Sequence, residues 1–226
     1  PLTYQWRKGG VAITGGTASS YSIPSVQASD AGNFDVVVTN IVGSVTSGTA
    51  ALSVNAPVTI TAQPAGLTLN PNASATFTVA ATGTAPITYQ WRKGGVPIAG
   101  GTAASFNIPA VSATDAGNYD AVVTNIVGSV TSGTAALSVN TPVSITTQPT
   151  GLAVNPSASA TLSVVAAGTA PLTYQWQRNG TPLSGATSGS YTIGSAQPAD
   201  AGTYTVVVTN VVGSVTSGAA VVSLNT

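Results

Sequence analysis

The sequence predicts an all-β protein made of tandem β-sandwiches, and three observations carry that reading. A pattern returns every 85 residues, the spacing of a small domain rather than of a solenoid turn. Inside each period, short runs rich in Thr and Val alternate inward and outward, and turn residues recur every 8 to 12 positions, as in stacked antiparallel strands. No segment holds a helical periodicity.

The repeat sets the domain organisation. Tyr4-Gln5-Trp6 returns at Tyr89-Gln90-Trp91 and at Tyr174-Gln175-Trp176. Asp30-Ala31-Gly32 returns at Asp115 and Asp200, and Val-Gly-Ser-Val-Thr-Ser-Gly closes all three copies. Residues 1–55 and 86–140 differ at only 11 of 55 positions, so the expected units are 1–55, 56–140 and 141–226. Unit one is a partial sandwich lacking the counterpart of 56–85, which reads as an excerpt from a longer array. The linkers at 55–57 and 140–142 are two or three residues long and stiffened by Pro57 and Pro142, favouring end-to-end units with limited swing.

Within unit two, residues 74–81 alternate as one strand, with Phe77 and Val79 on the same face. Residues 87–92 place Ile87, Tyr89 and Trp91 inward and Gln90 and Arg92 outward. Lys93-Gly94-Gly95 turns the chain. Residues 104–108 make a short strand and 112–117 a corner. A strand over 119–124 then reaches the Asn125-Ile126-Val127-Gly128 turn, and a last strand runs through Val139. Seven or so short strands in 85 residues make a sandwich.

A Trp on the third strand followed some two dozen residues later by Asp115-Ala116-Gly117-Asn118-Tyr119 resembles the immunoglobulin fold, nearest its intermediate type. The resemblance extends over all three units, and more narrowly over the immunoglobulin-like repeats strung along very large bacterial surface and secreted proteins. It implies a Greek-key sandwich, with Trp6, Trp91 and Trp176 packed between the sheets. It also implies a tyrosine corner at Tyr119 and Tyr204, which Phe34 in unit one is unable to make. One departure is plain: with no Cys in the chain, the disulfide positions fall to Val79 with Ala121 and to Val164 with Val206.

Composition excludes several functions. Only 4% of residues are charged and the net charge is zero, against about 25% charged in ordinary soluble proteins. Five basic residues are too few for a nucleic-acid footprint, and no apolar run is long enough to span a bilayer. Without His or Cys, the commonest general base, thiol chemistry and Cys/His zinc sites are gone. Asp30, Asp115 and Asp200 are expected to cap the corner, leaving only Asp35 and Asp120. One outward acid per unit assembles neither an acid/base pair nor a calcium site. Serines lack an activating partner. Lys8 and Lys93 read as solvated turn charges, and an isopeptide bond would need them buried. All 13 aromatic residues fall on inward faces or at the corner, leaving no exposed ring as a sugar platform. No enzyme activity, cofactor or metal is expected.

Two readings of function stand. A Thr/Ser-clad, nearly uncharged and repetitive surface favours association of identical chains, which suits an extracellular or cell-surface bacterial filament, sheath or stalk. The alternative is an adhesin or glycan-binding module using loops 96–104 and 182–190. Asn72-Ala73-Ser74 and Asn179-Gly180-Thr181 match the glycosylation sequon. Finally, alternation puts Arg92 and Asp120 outward on neighbouring strands, as a cross-strand ion pair. Unit one repeats it as Arg7 and Asp35, while unit three changes both members together, to Gln177 and Thr205.

Overall fold

The structure, a computed structural model, describes residues 1–225; Thr226, the last residue of the third unit, lies outside them. It is all-β apart from three single-turn 3₁₀ helices at the corners. Val and Thr fill the strands because β-branched side chains pack well on a pleated surface.

In unit two the larger sheet is built on Thr88–Lys93 and Gly117–Thr124, antiparallel, with Trp91 opposite Ala121 and Lys93 opposite Tyr119. Val96–Pro97 closes a hairpin on one edge. Gly94 and Gly95 form its turn with φ of +56° and +81°, the left-handed pair that a two-residue hairpin requires. Unit three has Asn179-Gly180 at the same turn, φ +50° and +80°. On the other edge, Ser129–Thr131 and Ala135–Val139 pair with Gly117–Thr124, and Leu67–Leu69 adds in parallel beside Ala135–Val139. The opposing layer has two small pieces: Ala75–Thr78 with Ser105–Ile108, and Thr59–Ala62 with Ala80–Thr82. Unit three repeats every pairing.

Two strands are more broken than the alternation implies, so the unit has ten short strands rather than seven. The run 74–81 changes partner at Val79, whose N–H goes to the Ala104 carbonyl while a bulge opens the facing strand between Ile60 and Ala62. The last strand is interrupted at Ser132. Its N–H donates to the Ala121 carbonyl, and its hydroxyl accepts the Ala121 N–H and donates to Gly133. A side chain thus substitutes for ladder hydrogen bonds and redirects the chain.

Between the layers Phe77, Trp91, Tyr119, Val123 and Leu137 are buried, as are Leu162, Trp176, Tyr204, Val206 and Val208 in unit three. Val79 with Ala121 and Val164 with Val206 are buried in the places where the family carries its cystines. Each Trp indole N–H has a backbone acceptor, Ala103 for Trp91 and Ser188 for Trp176.

Unit one has the larger sheet alone, Thr3–Lys8, Val11–Ala12, Gly32–Thr39, Ser44–Thr46 and Ala50–Leu52. Trp6, expected to be buried like its counterparts, is only partly covered, and Tyr21 stands exposed. The reason is the absent opposing layer: no counterpart of Phe77 lies over these rings.

Candidate functional site

The residues singled out by sequence lie on one sheet and at its corner. Arg92 Nε donates to Asp120 Oδ1 at 2.7 Å and Nη2 to Oδ2 at 2.8 Å, a bidentate pair between directly opposed residues. Arg7 and Asp35 do the same at 2.7 and 3.0 Å. The hydrogen bond to Asp120, with its charge, pushes the Arg92 guanidinium above its ordinary value, and Asp35 does likewise for Arg7. Gln177 and Thr205 occupy the matching register in unit three.

At the corner, Asp115 accepts the Ser112 hydroxyl at 2.7 Å and the Ser112 N–H at 2.8 Å. These bonds, helped by the charge of Lys93, hold its carboxyl below the usual carboxylate range despite partial desolvation. Asp30 and Asp200 accept the N–H of Gln27 and Gln197 in the same way. The Tyr119 hydroxyl donates to the Asp115 carbonyl at 2.7 Å and the Tyr204 hydroxyl to Asp200 at 2.8 Å. Burial, with a neighbouring acid, raises the Tyr119 phenol above its ordinary value. Phe34 has no hydroxyl to offer.

The lysines are not free turn charges. Lys93 Nζ donates to the Thr114 carbonyl and lies 5.8 Å from the centre of the Tyr119 ring. Lys8 binds the Ser29 carbonyl over Phe34. In unit three, Arg178 takes this position, donating to the Ala199 carbonyl at 2.6 Å and to Asp200 at 3.3 Å. A cation therefore clips the corner carbonyl in every unit. The signal was present in the sequence as a basic residue at one register position in all three copies.

Asparagines were passed over altogether, and they organise the unit ends. The nearly buried Asn125 amide donates to the carbonyls of Ala56 and Thr84, and its oxygen accepts Val127 N–H and Gly128 N–H. It thereby ties the linker to the turn at 125–128. Asn210 repeats this with Thr141, Thr169, Val212 and Gly213. A second pair faces the other end: Asn140 Nδ2 donates to Asn70 Oδ1 at 2.7 Å, which leaves Asn70 Nδ2 to donate to the Val211 carbonyl of unit three at 3.0 Å. The turn at the head of one unit is thus held to the tail of the unit before it. Exposure follows: Ile41, with no unit ahead of it here, is 98% exposed, Ile126 behind the partial unit 73%, and Val211 behind a complete unit 57%.

These features are structural rather than reactive. Among the described residues no group of three or more His, Cys, Asp or Glu is placed to hold a metal, and no helix is long and apolar enough to cross a membrane. The immunoglobulin domain family matches residues 57–125 and 142–210, well over half of the chain. The chain belongs to the immunoglobulin domain family. Human hemicentin-1 is 29% identical over 92% of this chain, and the mouse basement membrane-specific heparan sulfate proteoglycan core protein is 34% identical over 68%. The chain spans only 4% of the length of either. Among solved structures, the I-band fragment I67–I69 from titin overlays 100% of this chain and 89% of its own, with a TM-score of 0.69 at 21% identity, a likeness of fold. Tandem immunoglobulin domains, in a family that is typically non-enzymatic, fit structural or adhesive work.

Proposed function

We propose that this chain is a structural repeat of an extracellular bacterial filament, sheath or surface-protein stalk, acting through end-to-end and lateral packing of domains spanning 1–55, 56–140 and 141–226. The observation that carries the reading is the joint: Asn140 orients Asn70, Asn70 holds the Val211 carbonyl, and Asn210 anchors the linker on the same turn. A linker clamped at both ends transmits force and fixes orientation, whereas a binding module needs neither. Unit three carries the same preparation at its far end, with Asn225 Nδ2 donating to Asn155 Oδ1 at 2.7 Å. A uniform Thr/Ser surface without net charge supports side-by-side contact between identical chains.

Small-angle scattering tests the joint. The chain is expected to behave as a stiff rod, and Asn70→Ala with Asn210→Ala to lower its maximum dimension and broaden its distribution of distances. Identical profiles for variant and parent would remove the support. Sedimentation across a concentration series tests lateral packing. A strictly monomeric rod that binds an immobilised glycan through loops 96–104 or 182–190 would favour the adhesin reading instead.

A further inference from the structure

We propose that the open face of unit one is a preformed receptor for an extended apolar segment of the kind found at residues 56–85, bound as an added layer through a Phe that fills the gap between its aromatic rings. The proposal does not rest on the structural-repeat reading, since an adhesive chain would carry the same face.

The receptor is a cavity of about 280 Å3 lined by Trp6, Tyr21, Ile23, Val26, Phe34 and Leu52. Its counterpart in unit two is filled. There Phe77 stacks on Tyr119 with centres 4.7 Å apart and 20° between planes, and lies 6.1 Å from Trp91. Around that ring, Trp91 and Phe106 are 6.3 Å apart at 31°, and Phe106 and Tyr119 6.2 Å apart at 27°. In unit one the matching distances are 6.2 Å at 31° for Trp6 and Tyr21, and 6.3 Å at 27° for Tyr21 and Phe34. The ring cage therefore holds its filled geometry with the filler missing. Little reorganisation is needed on binding, which is the main saving in affinity that preorganisation gives.

Backbone groups point to the same occupant. In unit two Ser105–Ile108 is paired antiparallel with Ala75–Thr78, Phe106 facing Phe77, and Leu137 is paired in parallel with Leu67. In unit one residues 20–23 form no strand and pair with nothing among the described residues, and Ala50–Leu52 pairs only with Gly32–Thr39. Two edges are therefore open to a strand, the situation in which an extended peptide adds to a sheet. The occupant must present small and aromatic residues on one face and hydroxyls on the other. Ala75-Thr76-Phe77-Thr78-Val79 does so, and the receptor copy is identical to 86–140 at all but 11 of 55 positions. The conservative Tyr21 and Phe34 are the only ring differences.

The test uses the whole chain and a fluorescently labelled synthetic peptide of residues 56–85. Anisotropy should show saturable one-to-one binding. The Trp6 indole N–H resonance should shift while those of Trp91 and Trp176 stay in place, showing that the peptide has not displaced the chain's own segment from unit two. A peptide carrying Phe77→Ala should bind weaker by on the order of a hundredfold. Val26→Asp, a change at an exposed position on the open face that leaves the two complete units intact, should also weaken binding. No saturable binding, equal binding by the Phe77→Ala peptide, or equal binding by the Val26→Asp chain overturns the proposal. So does a dimer closed through this face that excess peptide fails to dissociate, which would make a second copy the occupant.

Discussion

Tyr119 and Tyr204 each place a phenol hydroxyl against a carbonyl four residues back, while the ring packs on the core. Removing that oxygen alone isolates the hydrogen bond: Tyr119→Phe should lower the stability of unit two by about 0.5 to 1.5 kcal/mol, measured by urea denaturation, with the fold unchanged. The same corner carries a pH dependence. Asp115 has its folded pKa depressed by the Ser112 hydroxyl and N–H, and to a lesser extent by Lys93. Its contribution is therefore present above the unfolded carboxylate value of about 3.9 and lost as pH falls through the lower folded value. Unit two should weaken as pH drops below about 4, and Ser112→Ala should flatten that acid limb while moving the Asp115 carboxyl carbon titration upward by NMR. A titration unchanged in the variant would show that Ser112 is not the cause.

Between elements, the contacts that matter most lie where the chain bends. Gly83 has φ +149°, and an added Cβ would meet the Pro57 carbonyl at 2.9 Å and the Val58 Cα at 3.0 Å. Both neighbours are backbone, so neither gives way by rotating a side chain. Gly83→Ala should cost about 1 to 3 kcal/mol, and Gly168→Ala a similar amount against Pro142 and Val143. Asn125→Ala should cost more than an ordinary hydrogen bond, about 2 to 3 kcal/mol, because four backbone groups around a nearly buried amide lose their partner together. Thermal melts of the two variants check both values. Amide exchange should show the Asn125→Ala loss first at Val127 and Gly128.

Across the whole molecule, the three units are not equal in stability although two are nearly the same sequence. Units two and three bury a Trp, a Tyr and a ring of Val and Leu between two layers, whereas unit one has one layer with its aromatics partly in water. Hydrophobic stabilisation scales with apolar area removed from water. Calorimetry should therefore resolve an early transition from unit one and a later one from the other two. A fluorescence-detected melt of Trp91→Phe, Trp176→Phe should follow the early event alone. With no acidic cluster among the described residues, a chelator should leave both transitions where they are.

The amino-acid sequence by itself determined the units, the strand faces and the pairings that depend on them. An 85-residue repeat fixes the copies, and a side-chain period of two, applied to Trp91 and Tyr119, puts Arg92 and Asp120 outward and opposite. It determined equally that the corner needs Asp115 and a Tyr hydroxyl, because both partners lie within four residues of each other. What only the tertiary structure decided are contacts between residues far apart along the chain. Asn125 reaches Ala56 and Asn70 reaches Val211 across 69 and 141 residues, and an Asn in a turn reads locally as turn chemistry alone. Lys93 looked solvated because its acceptor, the Thr114 carbonyl, belongs to a different element. Trp6 carries the same local pattern as Trp91, yet burial is supplied by another layer, and a residue's own neighbours in sequence hold no information on whether that layer is there.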